Sequence, residues 1–320
     1  MKNNDNPIIV VIHCLVFNHG PYLRDCLEGF VMQKTNFRFV AIVHDDASQD
    51  NSADIIREYE AKYPDIIKPI YETTNQYSKH DGSLARIMRE AIDATNAKYL
   101  AMCEGDDYWT DPLKLQKQVD ILEADKTLMA CCTNSSLVDN KGNLIEAKLA
   151  RPVVKDNIQG KYSLRDFFEH NHTYPTASVM YRRVHIEEVR AKSDTMRNPY
   201  LGDWTQWIAL LCFGDMYYLD EVTCAYRINP SSITHSGVDA RRLGLAKANF
   251  KLLPAVASVL PDGYEDIKDD LNNNTAWLWF NLANAYRHLH QYFRMAGCLL
   301  ICGIKNPKML YEKLKNRNRK

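Results

Sequence analysis

At 320 residues and 36.9 kDa, with 46% hydrophobic residues, the chain can bury one large core or two smaller ones. Forty basic and forty acidic side chains cancel, and the pI is about 7.1, so the global field that a nucleic-acid binder carries is missing. No run reaches the eighteen or so uncharged apolar residues that a membrane-spanning helix needs.

Residues 8–17 are β-branched and nearly all apolar, which predicts a strand covered on both faces in a parallel sheet. The N-terminal stretch ends in Asn18-His19-Gly20 and has no small-residue cleavage site, so it reads as this strand and not as a signal peptide. Leu23, Cys26, Leu27, Phe30 and Val31 then fall at helical spacing. A second strand, Phe37 to Val43, closes on His44-Asp45-Asp46-Ala47-Ser48-Gln49-Asp50. A helix with Ile55, Ile56 and Tyr59 inward follows, then a strand over 66–71, a polar loop and a helix from about Ser83 to Thr95. The apolar run Tyr99 to Cys103 predicts the central strand. It stops at Glu104-Gly105-Asp106-Asp107, with Asp111-Pro112 as cap and first residue of the next helix.

This alternation predicts an α/β fold with a mostly parallel, Rossmann-like sheet and right-handed crossovers. Ligands of such sheets bind at the carboxyl ends of strands, and both acidic turns lie there. Three carboxylates at one strand end raise each other's pKa unless a cation absorbs the charge. Oxygen ligands suit Mg2+ or Mn2+, either of which keeps positions open for substrate phosphates. Neither GxGxxG after the first strand nor GxxxxGK[ST] occurs, so phosphate held here depends on the metal.

Further along, 128–132 reads as a strand, Asp139 to Gly142 as a hairpin turn and 143–158 as a loop or edge hairpin. Ser163 to Asp166 has the form of a capping box, and 176–181 reads as a strand. Gly202-Asp203 opens an apolar helix, where Asp203 reads locally as a cap or first-turn acid. Two apolar pieces, 217–219 and 222–228, end in Asn229-Pro230. Beyond about 238 only helical periodicity remains, over 243–260 with Pro254 inside, 267–292 and 295–314. The domain expected over 1–237, with halves of about 1–125 and 126–237, is thus followed by a helical extension over 238–320. The tail is basic, with Lys305, Lys308, Lys313, Lys315, Arg317, Arg319 and Lys320 against Glu312, which predicts peripheral contact with an anionic membrane. Nine cysteines, an odd number without a CxxC pair, predict free thiols of a reducing compartment, hence a cytoplasmic protein.

Taken together and in order, Phe17-Asn18, Asp45 to Asp50, Glu104 to Asp107 and Gly202-Asp203-Trp204 resemble the motifs of the family 2 inverting glycosyltransferases of the GT-A fold. The wording EGDDYWTDPLKLQKQ is similar to bacterial members that build surface polysaccharides. The resemblance covers about residues 7–235. It implies a nucleotide-sugar donor, most often UDP-linked, and a glycan or lipid-linked glycan acceptor. Residue by residue it sets Phe17 and Asp46 against the nucleobase beside Asn18, Arg86 near the diphosphate and Asp106 on the ribose or phosphate side. Asp107 becomes the metal ligand, with Glu104 or Asp106 helping through water, and Asp203 the general base. One departure stands out: Tyr226-Arg227-Ile228 is followed by Asn229 where relatives carry a histidine, a role that His235 takes over or that is vacant. The rival readings are a nucleotidyltransferase on the same sheet and a non-catalytic glycan-binding module.

Overall fold

The computed structural model describes residues 7–149, 153–170, 172, 174–228, 238–273 and 275–317. These fall into two compact units, one drawn from 1–186 and 213–229, the other from 187–212 and 230–320.

The first unit is built on one mixed sheet. In chain order its elements are β1 (Ile8–Val16), α1 (Leu23–Val31), β2 (Arg38–Asp45), α2 (Ser52–Lys62), β3 (Ile67–Tyr71), α3 (Ser83–Ala94) and β4 (Tyr99–Met102). They continue with β5 (Tyr108–Trp109), α4 (Lys114–Ala124), β6 (Leu128–Val138), β7 (Leu144–Glu146), β8 (Gly160–Tyr162), α5 (Leu164–His170), β9 (Met180–Arg182) and β10 (Asp215–Arg227). The strand order is β3-β2-β1-β4-β9-β6-β10-β5, with β7 on β6 and β8 on β10. Strands β3, β2, β1 and β4 run parallel, as the βα alternation predicts, and β6 runs parallel to β10. β9 enters antiparallel between β4 and β6.

Alternate residues of β1, Val10, Ile12, Cys14 and Val16, share one core with Leu23, Leu27 and Phe30 of α1 and Ile55 and Ile56 of α2. Helix α3 packs on β1 and β2 and buries Met88 and Ile92. With both faces covered, β1 and β2 need the unbroken apolar runs by which they are recognised in the sequence.

Several elements differ from their sequence reading. The two pieces at 217–219 and 222–228 are one strand of 13 residues, β10, joined through register shifts against β6. Strand β6 runs to Val138, six residues past its apolar part, and Thr133, Asn134 and Ser135 within it are fully buried. Their polar groups are matched across the sheet: Thr133 Oγ1 lies 2.7 Å from Thr223 Oγ1, and Asn134 Nδ2 donates to Tyr218 Oη at 2.9 Å. Thr176–Ser178 is a 3-10 turn, and the strand starts only at Met180. Asp111 does not cap α4; it lies three residues before the helix begins, where its Oδ1 accepts from the Leu113 amide at 2.8 Å and its Oδ2 pairs with Lys117 at 2.7 Å. The capping box does form, with the Asp166 amide donating to Ser163 Oγ at 3.3 Å and the Ser163 amide to Asp166 Oδ2 at 2.8 Å.

The second unit is helical: α6 (Ile186–Thr195, of which 187–195 lie here), α7 (Gly202–Leu211), α8 (Val238–Val259), α9 (Glu265–Asn273), α10 (Thr275–His288), α11 (Tyr292–Lys305) and α12 (Pro307–Arg317). The long helices expected over 267–292 and 295–314 are each divided, the second at Asn306-Pro307, where proline takes the first helical position of α12. All nine cysteines are free, eight of them buried. Among the described residues no helix is long and apolar enough to cross a membrane.

Candidate active site

The loop after β1 and the acidic turn after β2 are laced together by backbone amides on short polar side chains. Asn18, in left-handed conformation at φ 55°, donates its amide to Ser48 Oγ at 2.9 Å, and its Oδ1 accepts from the Gln49 amide at 2.7 Å. The His19 amide reaches Ser52 Oγ at 3.0 Å and the Gly20 amide reaches Asp50 Oδ2 at 2.8 Å. A Cβ at Gly20 would sit 2.1 Å from Asn51 Oδ1 and 2.8 Å from Asp50 Oδ2, so a larger residue there would displace the side chains that lace the turn. Asn18, Ser48 and Asp50 thus build a loop platform at the carboxyl edge of the sheet.

Asp46 is buried, and its carboxylate accepts from the Gln76 amide at 2.6 Å and the Tyr77 amide at 3.0 Å, which anchors the β3–α3 loop. The loops after β1, β2 and β3 enclose a cleft of about 530 Å3, lined by Phe17, residues 47–49 and residues 72–75. Phe17 in its lining is 43% exposed. Glu72 stands at the cleft with His44 Nε2 at 3.5 Å from its Oε1. The cleft has an aromatic side chain and hydrogen-bonding groups in its lining.

The second acidic turn is tied to the same edge. The Cys103 and Gly105 amides donate to His13 and Leu15 of β1 at 3.1 and 3.0 Å, so pairing continues past β4 into the turn. The His19 ring lies beside Gly105, whose added Cβ would fall 2.8 Å from His19 Nδ1. Asp107 is buried, and its Oδ1 accepts the Arg227 amide at 2.8 Å. Burial, reinforced by Asp106 and Glu104, pushes its carboxyl well above the usual range. Among the described residues no three His, Cys, Asp or Glu side chains converge as a preformed metal cage. The donor set nonetheless fits a hard divalent cation of the Mg2+ or Mn2+ kind, which binds through one or two carboxylates and leaves its other positions to phosphates and water. Asp107 and Asp106 are the residues that would hold it, with Glu104 beside them.

Sequence reasoning assigned no role to Arg227, and the structure sets it at the centre. Its Nε donates to the Asp106 carbonyl at 2.8 Å and its Nη2 to Asp25 Oδ2 at 2.9 Å, while the guanidinium lies 4.8 Å from the Tyr22 ring centre and 5.3 Å from that of Tyr108. The short β5, Tyr108–Trp109, pairs with β10 and so brings the turn to Arg227. The signal in the sequence was the pair Tyr226-Arg227 at the end of the last strand. Arg227→Ala is expected to remove these bonds and lower the melting temperature by about 5–10 °C, since a buried arginine fork with charged and carbonyl partners contributes about 2–3 kcal/mol. Arg227→Lys keeps the charge but not the fork, and is expected to recover less than half of that shift in a thermal melt.

Two further predicted site residues lie on helices. Arg86 lies on the surface of α3, 65% exposed, with its Nη1 at 3.1 Å from Glu90 one turn on. Asp203, in the second unit, is exposed in the first turn of α7, whose N-cap is Leu201. His172 is buried and engaged on both ring nitrogens, by the Lys155 amide at 3.1 Å and Tyr174 Oη at 3.3 Å; burial pushes it down to about 4. His235 and Asn229 lie outside the described residues.

A parallel sheet with two acidic turns at its carboxyl edge, extended by antiparallel strands, defines an α/β protein of the GT-A class. The structure is similar to S. aureus TarS in complex with UDP-GlcNAc, with a TM-score of 0.62 and 13% identity over 95% of this chain and 83% of that one. The chain belongs to the glycosyl transferase family 2, whose family model matches residues 11–190. An uncharacterised protein of Mycobacterium tuberculosis is 32% identical over 226 residues, 71% of this chain; the match spans 60% of that relative's length. The Bacillus subtilis protein TuaG, named as a teichuronic acid biosynthesis glycosyltransferase, is 24% identical over 72% of this chain and 83% of its own.

Proposed function

We propose that the protein is a metal-dependent, inverting glycosyltransferase that moves a sugar from a nucleotide-sugar, UDP-linked in the first instance, to a hydroxyl of a glycan or lipid-linked glycan. The process would be surface-polysaccharide synthesis at the cytoplasmic face of the membrane, with peripheral contact through the C-terminal region. The catalytic domain would occupy 1–237, with the donor held by about the first 125 residues and the acceptor by the rest. The helical extension would be 238–320. The observation that carries this reading is the buried Asp107 beside Asp106, at the same sheet edge as the cleft walled by Phe17. Family membership, a fold neighbour solved with UDP-GlcNAc and a relative named for teichuronic acid synthesis all support it.

In this reading Phe17 stacks on the base, while the Asn18 and Asp46 loops fix the cleft around it. Asp106 faces the ribose and diphosphate. A divalent cation held by Asp107, with Asp106 and Glu104, would stabilise the charge that develops on the departing diphosphate. Asp203 would take the proton of the acceptor hydroxyl as its oxygen bonds to the anomeric carbon. The bond to the diphosphate breaks on the opposite face, so one displacement inverts the centre and no second carboxylate is needed as nucleophile.

A donor screen tests this. Incubated with manganese and UDP-, GDP- or dTDP-sugars, the protein is expected to release nucleotide slowly from one of the three, UDP for the donor proposed here. Release from none, with no nucleotide binding by calorimetry, would favour a non-catalytic glycan-binding module.

A further inference from the structure

Helix α11 is apolar almost all round. One face, with Cys298 and Cys302 buried and Met295 and Leu299 partly so, packs into the helical unit. The opposite face carries Phe293, Leu300 and Ile304 at seven- and four-residue steps, exposed by 97%, 67% and 74%. Such steps return to one side of a helix. Tyr311 of α12 adds to the exposed apolar surface at 66%. A helix that is apolar on both sides, at a protein surface, has an unburied face that water does not favour.

The charges around this face identify its occupant. Arg294 and Lys305 are the only ionisable groups other than the tyrosine and cysteines of α11, one near each end, and both are positive. Lys308, Lys313 and Lys315 on α12 are exposed, with Glu312 the sole acid of that helix. Lys315 Nζ lies 5.9 Å from the Tyr311 ring centre, so cation and aromatic ring stand together. A protein partner or a second copy of this near-neutral chain would not call for one-signed charge beside bare aliphatics; an anionic bilayer calls for both. At 14 residues α11 is about 21 Å long, short of the ~30 Å hydrocarbon core, so it would lie in the interface and not cross it.

We propose that the outer face of α11, with Tyr311 and the lysines of α12, seats this protein on an anionic lipid surface, Phe293, Leu300 and Ile304 entering the acyl boundary. The proposal deepens the peripheral contact expected of the basic tail by assigning it to an apolar face. It is tested without any sugar nucleotide, so its failure is separate from failure of the catalytic reading.

The experiment is flotation of the full chain with vesicles of phosphatidylglycerol and phosphatidylcholine at low salt, against vesicles of phosphatidylcholine alone. Binding to the anionic vesicles is expected to exceed binding to neutral ones by at least about tenfold and to fall with salt. Phe293→Asp with Ile304→Asp is expected to cost about a hundredfold or more at unchanged melting temperature, since both side chains are exposed. Lys308→Glu with Lys315→Glu is expected to cost about thirtyfold, an effect a purely apolar contact would not show. No flotation at low salt overturns the proposal. So does a concentration-dependent dimer that the two aspartates dissolve, because a second copy would then cover the face.

Discussion

Asp107→Asn is expected to abolish manganese-dependent nucleotide binding, a loss of at least about a hundredfold, while the fold is kept or gains stability. The asparagine retains an oxygen to accept the Arg227 amide, which an alanine would leave unsatisfied. What it removes is a charge that burial and two neighbouring carboxylates disfavour. A carboxyl whose folded pKa is raised binds its proton more tightly folded than unfolded. It therefore subtracts from stability as pH climbs above the unfolded value of about 4. Without divalent ion, the melting temperature of Asp107→Asn should gain on that of the wild type between acid and neutral pH. With manganese the order should reverse, because a bound cation stabilises only the wild type. Calorimetric titration and thermal melts with and without chelator measure both arms. Wild-type turnover undiminished in EDTA would sink the metal assignment and leave Glu104 to Asp107 as an acidic turn braced by Arg227.

Asp203→Asn is expected to cut sugar transfer by at least about a hundredfold, with donor affinity and melting temperature hardly moved. A general base contributes about a hundred- to ten-thousand-fold in rate, whereas an acid in the first turn of a helix contributes about 0.3–1 kcal/mol. Asp203 is exposed in the first turn of α7, a helix that buries Trp207, Ile208 and Leu210. Asparagine matches its size and lacks its basicity. Single-turnover transfer rates, set beside nucleotide titration, separate the two roles. Transfer within a few-fold of wild type would make Asp203 structural. His172 could not then replace it, because both of its ring nitrogens are engaged, and His235 would be the next candidate.

How far the sequence could be read followed from what each segment buries. Strands β1, β2 and β4 are covered on both faces and announce themselves as apolar runs, and the acidic turns after β2 and β4 are legible because a carboxylate cluster at a strand end is chemically conspicuous. The polar half of β6 was illegible: Thr133, Asn134 and Ser135 look like loop residues until Thr223, Tyr218 and Cys224 of β10 are set against them. Strand β5, at two residues, carries no period to detect, and β9, read over 176–181, begins only at Met180 behind a 3-10 turn. The same limit hid Arg227, whose position at the acidic turn depends on the pairing of β5 with β10, 115 residues apart at Cys224 and Trp109. Asp46 shows the converse, since its place in the acidic turn was legible but its grip on the Gln76 and Tyr77 amides was not.

The insertion of β9 between β4 and β6 also dictates an order of assembly. Arg182 bonds to Tyr99 across 83 residues of chain, so as the protein is synthesised β4 emerges, pairs with β1 and waits with its other edge bare. Until Met180 to Arg182 arrive, that edge offers unpaired amides and carbonyls to any strand in solution, including the same strand of a neighbouring chain. Closing so long a loop is slow compared with local helix formation, and the reward is only three residue pairs with β4 and two with β6. Substitutions at Met180 or Tyr181 that weaken strand formation should therefore act first on the yield of folded protein and only afterwards, if at all, on what the folded molecules do.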